Sequence, residues 1–224
     1  MLPIKQTIIG AGLMMAAGLA QAGMISITGD HFTFSYDEAQ ISPLYKQALL
    51  SGSQDTVYFL PTAFTAVTGG APVTTQAGLQ FTLSIDPGYV FAGLAFAENG
   101  NYFLSNGGFV GASASVQAVN LDTSATGGLA LDSGKALDHV GATTSWELAG
   151  LLGPQGLGAV QDLQISLDNA LTSAPTQGIG LIRKTYVGFR VQTREVQTVP
   201  EPSGLALILS GVLAAVLAGR RRRL

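Results

Sequence analysis

Cysteine is missing altogether from this 224-residue chain. Its absence excludes a disulfide framework, a thiolate nucleophile and any Cys-based metal site. A domain built from this chain must therefore be held by its apolar core. Charge is also scarce, at 11% of residues. A disordered chain would combine low hydrophobicity with high net charge. Low charge with abundant Gly, Ser and Thr instead suits a β-rich domain with many tight turns. No GxSxG elbow, HExxH, P-loop or complete GxGxxG occurs. The segment Gly153-Pro154-Gln155-Gly156-Leu157-Gly158 lacks the strand-to-helix context of a dinucleotide site and reads as a loop.

The mean hydropathy of +0.36 is concentrated in two blocks, Thr7–Ala20 and Leu205–Ala218. Charge is divided in the same way. Lys5 and Arg220–Arg223 take five of the 11 basic residues and Glu201 one of the 14 acidic ones, leaving six against 13 between Gly23 and Val199. That acidic balance disfavours nucleic acid as a partner. A domain of roughly 150–200 residues buries about 70% of the surface of its unfolded chain, enough to be stable without cross-links.

Residues 1–22 read as a secretory signal peptide. Lys5 supplies the positive region, Thr7–Ala20 the apolar region, and Ala20 and Ala22 the small-x-small cleavage site before Gly23. The apolar run is short for a bilayer span. The last 25 residues have their own order: Pro200-Glu201-Pro202, an uncharged stretch from Ser203 to Gly219, then Arg220, Arg221, Arg222, Arg223 and Leu224. As a helix, 203–219 would reach about 26 Å at 1.5 Å per residue, the thickness of a thin hydrocarbon core. Its apolar residues cover every face, so a transmembrane helix is expected. Four arginines beyond it predict a cytoplasmic C-terminus with the domain outside.

Pro200-Glu201-Pro202, the apolar span, the arginine run and the chain end together resemble the PEP-CTERM sorting signal. The resemblance covers about 25 residues. It implies a Gram-negative, exopolysaccharide-producing host, an exosortase-like processing enzyme as partner, membrane anchoring before processing, and delivery to the cell surface or extracellular matrix. A simple membrane anchor is the plainer alternative. A GPI signal would not normally end in four arginines.

Between the ends, period-two alternation dominates: Phe32, Phe34 and Tyr36; Leu79, Phe81, Leu83 and Ile85; Leu163, Ile165 and Leu167; Val187, Phe189 and Val191. Further strands are expected over Val57–Leu60, Ala63–Val67, Tyr89–Ala97, Tyr102–Leu104, Ser113–Leu121 and Ser145–Leu152. Turns are expected at Asp86-Pro87-Gly88, Gly69-Gly70, Asn99-Gly100-Asn101, Asn106-Gly107-Gly108, Gly127-Gly128 and Gly153-Pro154. Ser42, Pro43 and Gly52 predict one short helix. The expected fold is all-β, a single β-sandwich or jelly-roll-like domain over residues 23–199.

Candidate sites are few. His31 and His139 are the only histidines, and Asp138 beside His139 would point to the opposite strand face, poorly placed to orient it. Asp37, Glu38, Glu98 and Glu147 offer carboxylates for a glycoside-cleaving pair, with no flanking pattern. Asp122, Ser124 and Thr126, followed by Asp132 and Asp138, present oxygens that could surround calcium. They depart from the EF-hand pattern, which would need a carboxylate where Ser133 stands. Trp146 is the sole tryptophan and reads as core, and Tyr102 and Phe103 are ambiguous. The most suggestive feature is basic. On a regular strand Lys184, Tyr186, Arg190 and Arg194 share one face, where they could meet anionic polysaccharide or lipid headgroups or simply guard an edge.

The expected function is thus a non-catalytic surface or matrix protein, structural or glycan-binding, without cofactor unless calcium binds. The alternative is a secreted carbohydrate-active hydrolase using a carboxylate pair.

Overall fold

Period-two burial runs through most of the computed structural model, which describes residues 23–133 and 137–196. The signal peptide with Ala20 and Ala22, the sorting motif Pro200, Glu201 and Pro202, the expected membrane helix, and Arg220, Arg221, Arg222 and Arg223 all lie outside the described residues.

The described chain is all-β. Its strands are β1 (Met24–Thr28), β2 (Phe32–Asp37), β3 (Leu49–Leu50), β4 (Thr56–Phe59), β5 (Thr65–Thr68), β6 (Val73–Ile85), β7 (Tyr89–Asn120), β8 (Thr126–Asp132), β9 (Thr144–Leu152) and β10 (Asp162–Glu195). They form one sheet, antiparallel throughout.

Two strands of 32 and 34 residues, β7 and β10, organise that sheet. They pair along nearly their whole length, from Leu163↔Asn120 to Glu195↔Tyr89. The first half of β10 carries β6, β2 and β1 on its free side, and the matching half of β7 carries β8. Past the middle, β10 carries β4 and β5, with β3 beyond β4, and β7 carries β9. The sheet thus folds over on itself and nearly closes into a barrel.

The bend falls where β7 reads Asn106-Gly107-Gly108 and β10 reads Gln177-Gly178-Ile179-Gly180, with a register shift between Gln177 and Gly180. Gly108 has φ +90°, a region L side chains rarely enter. A Cβ there would also meet the Ala174 carbonyl oxygen at 2.5 Å. The sequence expected turns at this cluster and at Asn99-Gly100-Asn101. Both lie inside β7 instead, and Gly127-Gly128 lies inside β8. Gly100 is needed because the Arg183 carbonyl and the Trp146 indole close over it.

The expected helix after Ser42 is also corrected. A single turn forms, with Tyr45 N–H donating to the Ser42 carbonyl at 3.0 Å. Lys46 then adopts φ +58° and the chain runs into β3. Tyr45 is wholly buried, its ring edge-on to Phe59 and Phe64. Burying an aromatic ring of that size is worth about 1.5–3 kcal/mol, more than one further helical turn offers.

Aromatic side chains join the two halves of the folded sheet. Phe34 of β2 stacks on Phe81 of β6 at 4.2 Å, and Phe81 meets Phe189 of β10 edge-on at 4.9 Å. Phe189 in turn lies 5.5 Å from Phe96 of β7.

Candidate functional site

Side-chain parity along the end of β10 decides which basic residues are available. Ile182 and Lys184 point inward, and so do Val187, Phe189 and Val191. Even positions give way to odd ones because one residue is extra: Lys184 pairs with Gly100 but Tyr186 pairs with Asn99, leaving Thr185 as a bulge. Lys184 is therefore not on one face with Tyr186, Arg190 and Arg194, as strict alternation predicts. It is fully buried.

The outer face beyond the bulge carries a different constellation. Tyr58 of β4 sits opposite Gly188. The Tyr186 ring lies down along its own strand over Gly188, where a Cβ would collide with the phenol oxygen. The two tyrosines stack with centroids 5.9 Å apart and planes 23° from parallel. Both are half-buried. Burial, and then the neighbouring Tyr58, raises the Tyr186 phenol above its ordinary range, so the Tyr186 ring presents a neutral face near neutral pH.

Two residues further on, Arg190 is exposed and its Nε donates to Asp55 Oδ2 at 2.7 Å. The Ser53 hydroxyl, followed by Thr56 and Arg190, holds the Asp55 carboxyl below its ordinary range. Arg190 is thus an oriented, partly neutralised donor. Arg194 is exposed about 13 Å along the strand, past a third register shift. Tyr58 escaped the sequence reading because only the β4–β10 pairing brings it to Tyr186.

Inside the barrel is a polar cluster that no sequence pattern announces. Lys184 Nζ donates to Glu98 Oε2 at 2.5 Å, with both side chains wholly buried. Phe64 lies 4.8 Å and Trp146 6.0 Å from the same nitrogen. Trp146 is core, its indole N–H donating to the Arg183 carbonyl at 3.2 Å. Asn169, from the other half of β10, donates through Nδ2 to the Tyr45 hydroxyl at 2.9 Å, and that hydroxyl donates to the Ala77 carbonyl. The Asn169 amide also stands close enough to Glu98 to favour its charged form, against the larger opposing effect of burial. Glu98 Oε1, Asn169 Oδ1 and Ser173 Oγ remain buried without a hydrogen-bond partner. Desolvation dominates the ionic pair: it pushes Lys184 down to about 8 and Glu98 up from the usual carboxylate range.

The other candidates are dispersed. Asp122 sits in the β7–β8 turn, where buried Asn120 accepts its N–H at 2.9 Å. Asp132 ends β8, about 20 Å beyond the start of that strand, so the expected calcium ligands are not brought together. No cluster of three His, Asp or Glu side chains suited to a metal occurs among the described residues. His139 and Asp138 are both exposed. His31 stacks on Tyr89 at 3.6 Å and lies 3.2 Å from Asp30. Tyr102 is buried and Phe103 half-buried. Of the sequence's candidate carboxylates, Glu98 is enclosed in the core while Glu38 and Glu147 are exposed. A shallow groove of about 700 Å³ crosses β6, β10, β7 and β8, paved by Gly78, Ser113, Ser115 and Ala130 beside Asp132 and Asp168.

Neither a protein-family model nor a curated protein matches this chain.

Proposed function

We propose that the chain is an exported surface or matrix protein of a Gram-negative bacterium that contacts exopolysaccharide through the outer face of β10. The terminal segments support its route: a signal peptide for export, then a PEP-CTERM-type tail that anchors the chain in the membrane until an exosortase-like enzyme processes it. On this reading the exported unit is the β-sandwich-like body between them.

One observation carries the contact: Tyr58 and Tyr186 lie as an open aromatic platform beside the oriented Arg190–Asp55 pair. Flat aromatic faces cover the C–H faces of pyranose rings, and a guanidinium next to them can bond a uronate or sulfate group. The hydrolase alternative has weaker support. Asp132 and Asp168, the carboxylates at the groove, project from β8 and β10 with β7 between them. Their backbones stand roughly 12 Å apart at ordinary strand spacing, whereas glycosidase pairs hold their carboxyl groups at about 5–9.5 Å, so both side chains would have to lean together over β7.

Binding of the mature chain to an acidic exopolysaccharide, followed by isothermal titration, tests the contact. Tyr186→Ala removes one stacking face, and Gly188→Ala displaces the ring without removing it. A stacking contact worth about 1–1.4 kcal/mol predicts five- to tenfold weaker binding for each. Unchanged affinity in both variants would show that the platform is not the contact.

A further inference from the structure

We propose that Lys184 and Asn169 become joined by an amide bond between their side chains, with Glu98 as the proton carrier, stapling the two halves of the folded sheet across the core.

Three complementary groups are gathered in the core, with Glu98 next to each of the other two. Lys184 is an amine with no exposed surface, held between Phe64 and Trp146. Asn169 is a primary amide, also buried. Glu98 bonds the amine directly and stands beside the amide. The ordinary role of a buried lysine and carboxylate is a fixed ion pair, in which both charges draw on further hydrogen bonds. Here that support is incomplete. Glu98 Oε1 and Asn169 Oδ1 are each buried without a partner, a cost that native cores normally avoid.

Moving the proton from the ammonium to the carboxylate removes both charges and turns one of those oxygens into a donor. The protonated Glu98 can then hydrogen-bond the Asn169 carbonyl and polarise it, leaving Lys184 Nζ with a free lone pair. Desolvation, which lowers the lysine and raises the glutamate, favours this neutral arrangement.

The chemistry balances without any co-reactant. Nζ attacks Asn169 Cγ, and the carbonyl electrons move to Oδ1, stabilised by the Glu98 proton. Glu98 then takes a proton from the attacking nitrogen and delivers one to Nδ2. The Cγ–Nδ2 bond breaks, ammonia leaves, and a secondary amide between Nζ and Cγ remains. Asn169 and Lys184 lie on opposite sides of the β10 bend, so the bond closes a ring through that corner and ties β10's first half to its second. The inference is independent of the glycan face.

Peptide mapping of the purified, exported full-length protein tests it. Cleavage after Lys and Arg should yield a branched peptide with two N-termini, joining residues 136–183 to 184–190, lighter by one ammonia (about 17 Da) than its two unlinked parts. The Lys184→Arg and Glu98→Gln chains should yield only linear peptides. The Asn169→Asp chain should yield the branch with loss of water in place of ammonia. Only linear peptides from the wild-type protein would overturn the proposal, whatever the variants do. A branch persisting in a folded Glu98→Gln chain would overturn the role of Glu98.

Discussion

At Lys184, burial and a neighbouring charge act in opposite directions, and burial wins. Desolvation brings the amine to about 8 despite Glu98, while Tyr45, also buried, has its phenol raised. A free amine at this position binds its proton more weakly in the folded chain than in the unfolded one. Below pH 8 that difference opposes folding in full, and it disappears as the pH climbs towards the unfolded lysine value. Glu98, shifted upward, contributes the opposite slope on the acid side: stability present at low pH and lost as the pH rises through its raised value. In the Asn169→Ala chain, where the amine has no amide to attack, the urea midpoint should rise from pH 8 to about 9.5, below the range in which unfolded tyrosines titrate. In the wild-type chain the acylated lysine carries no titrating proton, so the same window should be flat. Parallel profiles for the two chains would contradict that expectation.

The extra residue in β10 acts at the scale of the element. Without a bulge, period two would send either Lys184 outward or Val187, Phe189 and Val191 outward. The bulge at Thr185 allows both halves of β10 to turn their buried sets inward, and its hydroxyl reaches the Asn99 carbonyl at 3.4 Å. Deleting Thr185 should leave no soluble folded protein, because one parity set must then face water. Thr185→Ala keeps the residue count, loses only weak hydrogen bonds, and should cost less than about 1 kcal/mol in urea unfolding. A soluble, cooperatively unfolding deletion chain would mean that the register shift is incidental.

At the scale of the molecule, the body has no cysteine to cross-link it, and no helix among the described residues is long and apolar enough to cross a membrane. The proposed route assigns anchoring and sorting to the terminal segments. Intact-mass analysis of the protein from its native host should show a chain beginning at Gly23 and lacking everything after roughly Pro202. A mass that includes Arg220–Arg223 would reduce the tail to a simple anchor.

Local alternation was enough to place most strands. Phe32–Asp37, the end of β6, β4 and β9 appear close to where the residues predict them, because side-chain period is a property of neighbouring residues. The all-β class was legible for the same reason. The continuity of β7 through Gly100 and Gly107-Gly108 was not, because glycines that mark turns in isolation also allow close approach and bending when a partner strand is present. The burial of Lys184 and the meeting of Tyr58 with Tyr186 depended on the register of strands far apart in sequence. One bulge reversed the parity of everything beyond it. Composition and period therefore determined that this chain makes a sheet and which residues could be inside it. Only the folding-over of two long paired strands decided which polar groups share the core, since that pairing joins residues more than 80 positions apart, such as Lys184 and Glu98, 86 positions apart.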